Sequence, residues 1–508
     1  MGPIEGLLYG LSLAMNYQNL LAALAGAIAG TAVGVLPGLG PVAGMAMVLP
    51  VTYSLGPTAG VIMMAGIYYG AMYGGSTTAI LINMPGESAS VMTAIDGYKL
   101  TKKGRAGAVL CAVAAASFVG GTISVVGVML FSPVLAEFGL LFGPAEFFAL
   151  IGGGLLILSR VSGGSFAAGI FPMAIGLMLG TVGQELVTGL NRFTFGFNDL
   201  SQGVELVALV VGLYGLAEIM TTVESNLGQI MPKKVRVREM VPTRQEWIRS
   251  VGPTGRGTVL GFLFGLLPGP SATLSSFSAY RLEKAVAKHR DEIGQGAIEG
   301  VVGPETANNA AATSSMVPLL GLGIPFGSST ALMLAALMIH GVQPGPMLMT
   351  TNPDVFWAVI ASMYIGNVML LVLNVPLIGV WVSLLKIPHY IFLPLILMIA
   401  TIGSYSVSNS LLDVFSLLLL GIIGYVLRKL DFQLAPMVVG LVLGPLIEKH
   451  MREAMIMSQG DISVFYSTPI AVGLWILVAI VMSAGTLRKL LRRLFGWKAS
   501  KVILETQE

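Results

Sequence analysis

The sequence predicts an all-α, polytopic integral membrane protein built from two internal repeats of inverted topology. Three observations predict it: an apolar composition, hydrophobic runs of bilayer length, and paired sequence echoes whose flanking loops exchange their basic charge. Of 508 residues, 55% are apolar and 10% charged, with 65 glycines, and mean hydropathy is +0.83; a soluble domain carries about 25% charge. A water-soluble enzyme is excluded. The net charge of +3 is too small to indicate a nucleic-acid partner. The single cysteine, Cys111, allows no internal disulfide and sits in an apolar run, where it reads as a packing residue. Residues 1–17 contain Glu5 and no basic region, so no cleaved signal peptide is expected.

A spanning helix needs about 20 apolar residues, and about twelve membrane segments are expected when broken and re-entrant helices are included. The first group of runs lies at 20–36, 58–82, 106–130, 147–158, 166–179 and 204–220. The second lies at 257–267, 310–320, 330–339, 356–373, 392–402, 415–427, 437–446 and 470–483. Between them, Lys233, Lys234, Arg236, Arg238, Arg244, Arg249 and Arg256 with Pro232 and Pro242 form a polar stretch. The expected organisation is a membrane repeat at 1–223, a basic cytoplasmic linker at 224–256, and a second repeat at 257–457. A final transmembrane helix and a basic cytoplasmic C-terminus follow at 458–508.

The two halves echo each other in order. Gly34-Val-Leu-Pro-Gly38 corresponds to Gly265-Leu-Leu-Pro-Gly269, and Ala79-Ile-Leu-Ile-Asn-Met-Pro85 to Leu319-Leu-Gly-Leu-Gly-Ile-Pro325. Phe118-Val-Gly-Gly matches Tyr364-Ile-Gly-Asn, and Pro172-Met-Ala-Ile-Gly-Leu-Met-Leu-Gly180 matches Pro436-Met-Val-Val-Gly-Leu-Val-Leu-Gly444. The loop after Pro85 holds Lys99, Lys102, Lys103 and Arg105, whereas its counterpart at 340–354 has no Lys or Arg. The loop after Pro37 reverses the bias: 53–57 is uncharged, while Arg281, Lys284, Lys288 and Arg290 crowd its partner. Such swapping is expected of inverted repeats. An extra apolar segment in the second half leaves the parity of the Pro172 and Pro436 elements open.

Irregular backbone at membrane depth is tolerated only where protein buries it or water fills the space beside it. Four Pro-Gly breaks therefore mark the candidate site: Pro37 to Pro41, Asn83 to Ser90, Pro268 to Thr273, and Gly321 to Ser329. Each begins a new helix whose free N–H groups and partial positive charge suit a carboxylate. The expected substrate ligands are Pro37, Gly38, Gly40, Pro85, Gly86, Pro268, Gly269, Ser271, Pro325 and Gly327. Side-chain donors are expected from Ser76, Thr77, Thr78, Asn308, Asn309, Thr313 and Ser328. Each hydroxyl has a competing reading as a back-bonded or packing group. A coupling cation needs oxygen ligands, for which Asn83, Glu87, Glu305 and Gly323 are the candidates, while Asp96 is read as an interfacial cap. No cofactor is expected: His289, His340, His389 and His450 are dispersed, and no Walker motif occurs.

These motifs resemble the large membrane subunit of the tripartite tricarboxylate transporters, the TctA family. The resemblance runs through Gly34-Val-Leu-Pro-Gly-Leu-Gly-Pro41, Tyr69-Gly-Ala-Met-Tyr-Gly-Gly-Ser-Thr-Thr78, Asn83-Met-Pro-Gly-Glu87 and Arg192-Phe-Thr-Phe-Gly196. It continues in Gly303-Pro-Glu-Thr-Ala-Asn-Asn-Ala310, Gly321-Leu-Gly-Ile-Pro325 and Leu443-Gly-Pro-Leu-Ile-Glu448. One departure is Pro268-Gly-Pro, where the first half has Pro-Gly-Leu-Gly-Pro. The resemblance implies a non-enzymatic translocation subunit in the bacterial inner membrane that imports a tri- or dicarboxylate such as citrate with Na+ or H+. Its implied partners are a small four-helix membrane subunit and a periplasmic substrate-binding protein, besides the lipid around it. A stand-alone carboxylate symporter is the alternative. Loops at 185–202, 340–354 and 458–467, with Phe193, Phe195, Phe197 and Phe465, are where a binding protein would dock, membrane-interface anchoring being the competing reading.

Overall fold

Backbone polar groups have no water to bond in a bilayer, so a chain this apolar satisfies them within helices. The computed structural model describes residues 1–36, 39–162, 165–185, 189–224, 240–385 and 389–495, and it is almost wholly helical. In the first half the helices are α1 (Pro3–Ala14), α2 (Tyr17–Val35), α3 (Gly40–Thr52), α4 (Pro57–Ile82) and α5 (Val91–Lys102). They are followed by α6 (Ala106–Gly139), α7 (Pro144–Ser162), α8 (Phe166–Leu179), α9 (Leu206–Val210) and α10 (Ala217–Glu224). A π-turn at Val211–Leu216 joins α9 to α10, and a two-residue hairpin pairs Gly183 with Arg192.

In the second half come α11 (Arg244–Gly265), α12 (Ser271–Val286), α13 (Glu299–Ser314), α14 (Met316–Leu322), α15 (Ser328–Ile339) and α16 (Leu348–Thr351). The remaining helices are α17 (Pro353–Asn374), α18 (Ile378–Leu384), α19 (His389–Ser408), α20 (Leu411–Lys429), α21 (Ala435–Met457) and α22 (Pro469–Phe495). Among the described residues, six helices are long and apolar enough to cross a membrane, and five shorter apolar helices accompany them. This is a multi-pass membrane protein. Residues 244–256 of the expected linker are helical: Thr243 caps α11 with a reciprocal Glu246 bond and the helix runs unbroken to Gly265. The basic cluster Lys233, Lys234, Arg236 and Arg238 lies outside the described residues.

Glycine decides how closely the helices approach. A Cβ at Gly26, Gly30 or Gly34 of α2 would meet the carbonyls of Met63, Ile67 and Ala71 on α4. Likewise a Cβ at Gly257, Gly261 or Gly265 of α11 would meet the carbonyls of Gly303, Ala307 and Ala311 on α13. Both triplets have four-residue spacing and both pairs run parallel, the arrangement small residues permit when backbones touch. The return stroke in each pair is a short helix, α3 or α12.

Two other pairs join the halves directly. Gly121 of α6 packs on the Asn367 amide of α17, its counterpart in the sequence echo. The start of α6 (Val109, Val113) clusters with Val375 and Ile378 beyond the end of α17, while Gly139 at the end of α6 meets Pro346 before it. Those contacts make α6 and α17 antiparallel about the equivalent residues. By contrast α8 and α21 run parallel, with Gly176 on the Met437 carbonyl and Gly440 reciprocally on that of Met173.

Candidate functional site

Asn83 and Gly323 close α4 and α14 in the left-handed conformation, at φ 58° and 71°. Behind them the N–H of Met84 reaches the Thr78 carbonyl at 3.4 Å and that of Ile324 reaches the Pro318 carbonyl at 3.3 Å. The same stop thus ends corresponding helices, with Asn and Gly serving one backbone need. Pro85 and Pro325 then carry the chain into the starts of α5 and α15. Direct contacts tie the breaks together. The Gly269 N–H donates to the Phe326 carbonyl at 2.9 Å, and the Ser88 and Thr273 hydroxyls share a 2.8 Å bond. Gly86 sits so close to the Gly34 carbonyl that any Cβ there would overlap it.

A cavity of about 660 Å³ lies where these segments meet. Gly40 and Pro41 at the start of α3, Pro85 to Ser88 before α5, Gly269 to Thr273 around the start of α12, and Phe326 to Thr330 around the start of α15 all line it. Four helix N-termini therefore face one space, an arrangement that favours negative charge. Of the predicted ligands, Gly40, Pro85, Gly86, Gly269, Ser271, Gly327, Ser328 and Glu87 line the cavity. Pro37 and Gly38 lie outside the described residues.

The other predicted residues stand off the cavity wall. The Ser76 hydroxyl donates to the Tyr73 carbonyl at 2.8 Å and Thr78 to the Gly75 carbonyl at 3.2 Å, so both are back-bonded inside α4, and Thr77 is buried beside them. Asn309 reaches sideways to the Ser117 hydroxyl of α6 at 2.9 Å, and Thr313 is buried in α13. Pro268 and Pro325 line a small apolar gap against α7. Asn83 is an exposed cap, and Gly323 packs against the Gly345 backbone. Asn308 is one step behind the wall, donating to Glu87 Oε1 at 2.9 Å. Glu305 is fully buried and accepts the Thr93 hydroxyl at 2.5 Å.

Sequence reasoning missed the far wall. Tyr214, Glu218, Arg428 and Asp431 also line the cavity. Arg428 is ion-paired with Glu218 and lies 5.9 Å over the Tyr214 ring, whose hydroxyl is 3.4 Å from that of Ser328. The available signal was charge at the ends of two apolar runs, Glu218 in 204–220 and Arg428 after 415–427. A second cavity, of about 340 Å³, lies at the opposite end of α15. It is lined by Arg192, Glu448 and Arg452, and Arg192 grips Glu448 with two bonds of 2.7 and 3.0 Å. Beside it Phe193, Phe195 and Phe197 are exposed, whereas Phe465 packs against Phe148 with ring centroids 4.6 Å apart and the rings tilted by 46°.

Asp96 is no simple cap. It is completely buried and accepts from the Tyr280 hydroxyl and the N–H groups of Gly294, Gly296 and Ala297 at 2.6–3.0 Å. Lys103 adds a 2.8 Å bond to the Gln295 carbonyl. A helix of the first half is thereby fastened to the loop before α13.

Residues 20–439 match the model of the tripartite tricarboxylate transporter TctA family. The chain is 46% identical over 474 residues, 93% of its length, to an uncharacterised 52.8 kDa protein in the TAR-I ttuC′ 3′ region of Agrobacterium vitis, covering 94% of that protein. It is 50% identical over 214 residues to an uncharacterised protein in the TAR-II ttuC′ 3′ region of the same organism, covering 42% of this chain and 88% of that one. No solved structure matches.

Proposed function

The chain belongs to the tripartite tricarboxylate transporter TctA family, and from that premise we propose that it is the translocation subunit of a binding-protein-dependent, cation-coupled importer of tri- or dicarboxylates. The observation that carries this reading is the meeting of four broken-helix starts on one cavity. N-terminal N–H groups after Gly40, Gly86, Gly269 and Gly327 would take one carboxylate, with Ser271 and Ser328 as hydroxyl donors. Arg428 would take another.

Charge balance favours coupling. Glu87, Glu218 and Asp431 line the cavity against the single guanidinium of Arg428, so a polyanion entering alone would meet net negative charge. A co-bound Na+ or H+ offsets that repulsion, which is the logic of symport. The architecture proposed is a pair of inverted repeats of about twelve membrane segments, which the matched glycine ladders and the antiparallel α6 and α17 support. The parallel α8 and α21 fit the same scheme if the extra segment of the second half restores their direction.

The proposed setting is the bacterial inner membrane with a cytoplasmic C-terminus, beside a small four-helix subunit. A periplasmic binding protein would dock where Phe193, Phe195 and Phe197 stand exposed next to the second cavity. The test is labelled-carboxylate uptake by proteoliposomes containing both membrane subunits, with and without the binding protein. Flux at full rate without it would favour the stand-alone symporter.

A further inference from the structure

Two neighbouring polar atoms in the core between the halves have no hydrogen-bond partner among the described residues: Oε2 of Glu305 and Oδ1 of Asn308. Both side chains are wholly buried, and positions three apart on a helix share a face. Their other atoms are well placed. Glu305 Oε1 accepts from Thr93, and Asn308 Nδ2 donates to Glu87 Oε1, with the Ser90 hydroxyl at 3.5 Å from the same oxygen. Two buried acceptors on one face of α13 therefore lack a donor.

We propose that Glu87 and Glu305, bridged by Asn308, form a site for one proton taken up from the cavity. This deepens the coupled-transport reading and rests on it for the proton's use, though not for the proton's presence. A proton on Glu305 Oε2 donates to Asn308 Oδ1 and satisfies both orphan atoms at once. That orientation leaves the amide N–H of Asn308 donating to Glu87, as the 2.9 Å contact requires. If the proton moves to Glu87, which lines the cavity, the amide must turn over, donating to Glu305 and accepting from Glu87. In either orientation the pair carries one proton and one negative charge; releasing the proton to cavity water leaves two negative charges, that of Glu305 fully buried, bridged by one amide.

Among the described residues no group of three or more His, Cys, Asp or Glu is placed to hold a metal ion. The charged groups on the packed elements have partners of their own. Asp96 of α5 is held by Tyr280 and three N–H groups, Glu283 of α12 pairs with Arg256 of α11, and Arg249 of α11 pairs with Glu292 and Glu299. Tyr68, Tyr69 and Tyr73 of α4 and Cys111 of α6 are further titratable groups on the packed elements and are uncharged at neutral pH.

Infrared spectroscopy of the purified complex tests the proton directly. The account expects a carboxylic-acid C=O band at neutral pH that is lost in Glu305→Gln, and in Asn308→Ala shifts to the position of an acid without a hydrogen-bonded neighbour. Absence of the band, or its persistence unchanged in both variants, overturns the site. In proteoliposomes, uptake of succinate or citrate should follow an imposed pH gradient, and Glu305→Gln should lose that dependence. Uptake driven by sodium alone, or a pH response unchanged in the variant, also overturns it. If the band behaves as expected but the wild type moves no carboxylate, the proton site stands and the transport reading fails.

Discussion

Asn308 and Asn309 are neighbours in sequence, yet their surroundings separate their roles. The amide of Asn309 links α13 to Ser117 of α6 and returns to the Glu305 carbonyl at 3.0 Å, so it holds two helices together. Asn308 instead supports Glu87 on the cavity wall. Asn309→Ala should lower stability by about 1–3 kcal/mol through unpaired groups while leaving carboxylate KM nearly unchanged in the folded fraction. Asn308→Ala should raise KM or abolish coupled uptake, at a stability cost no greater than that of Asn309→Ala. Thermal melts and uptake kinetics on both variants check this; equal effects on both readouts would contradict it. Asp96 gives a second expectation. Asparagine there keeps one acceptor oxygen for the three N–H groups but turns its NH2 toward the Tyr280 hydroxyl and the Gly294 N–H, costing about 1–3 kcal/mol, visible as a lower melting temperature; an unshifted melt would remove the clasp from the stability account.

The glycine ladders set the element scale. At Gly30 and Gly261 a new Cβ would run into the backbone carbonyls of Ile67 and Ala307, which cannot move without shifting a helix. Valine at either position should therefore cost about 1–3 kcal/mol or more and should do so in both halves. Fluorescence-detected size exclusion of Gly30→Val and Gly261→Val would show reduced monodisperse protein, and a tolerated substitution in one half alone would break the equivalence. The ion pairs on α11 make a smaller, pH-dependent contribution. The hydrogen bond from Arg249 holds exposed Glu292 below the usual carboxylate range. A lowered folded-state pKa adds stability above the unfolded value and loses it as pH falls through the folded one. Being solvent-screened, the pair contributes about 1 kcal/mol or less. The melting difference between wild type and Glu292→Gln should be present at neutral pH and vanish on acidification; a difference independent of pH would contradict it.

At the scale of the whole molecule, the four breaks and their convergence were legible because proline beside glycine in an apolar run has few other uses. The helical membrane class was legible for the same reason that composition limits it. The roles of Ser76 and Thr78 were not legible, since a hydroxyl that bonds its own preceding turn leaves the same sequence trace as one that faces a ligand. Nor was the wall formed by Tyr214, Glu218 and Arg428: those residues reach the cavity only through tertiary packing of the π-turn, α10 and α20, which no local period announces. The helical state of residues 244–256 was not legible, because seven basic residues read as linker although a capping box at Thr243 and Glu246 was present to start the helix.

The central claim, that four helix starts around one cavity carry a carboxylate together with a cation, is tested most directly by gradient-driven uptake. Proteoliposomes holding this subunit and its small partner, supplied with the binding protein and labelled citrate or succinate, should accumulate label only under an imposed sodium or proton gradient. Uptake should be saturable. Accumulation that ignores both gradients, or flux that never saturates, would contradict the account and point to a channel.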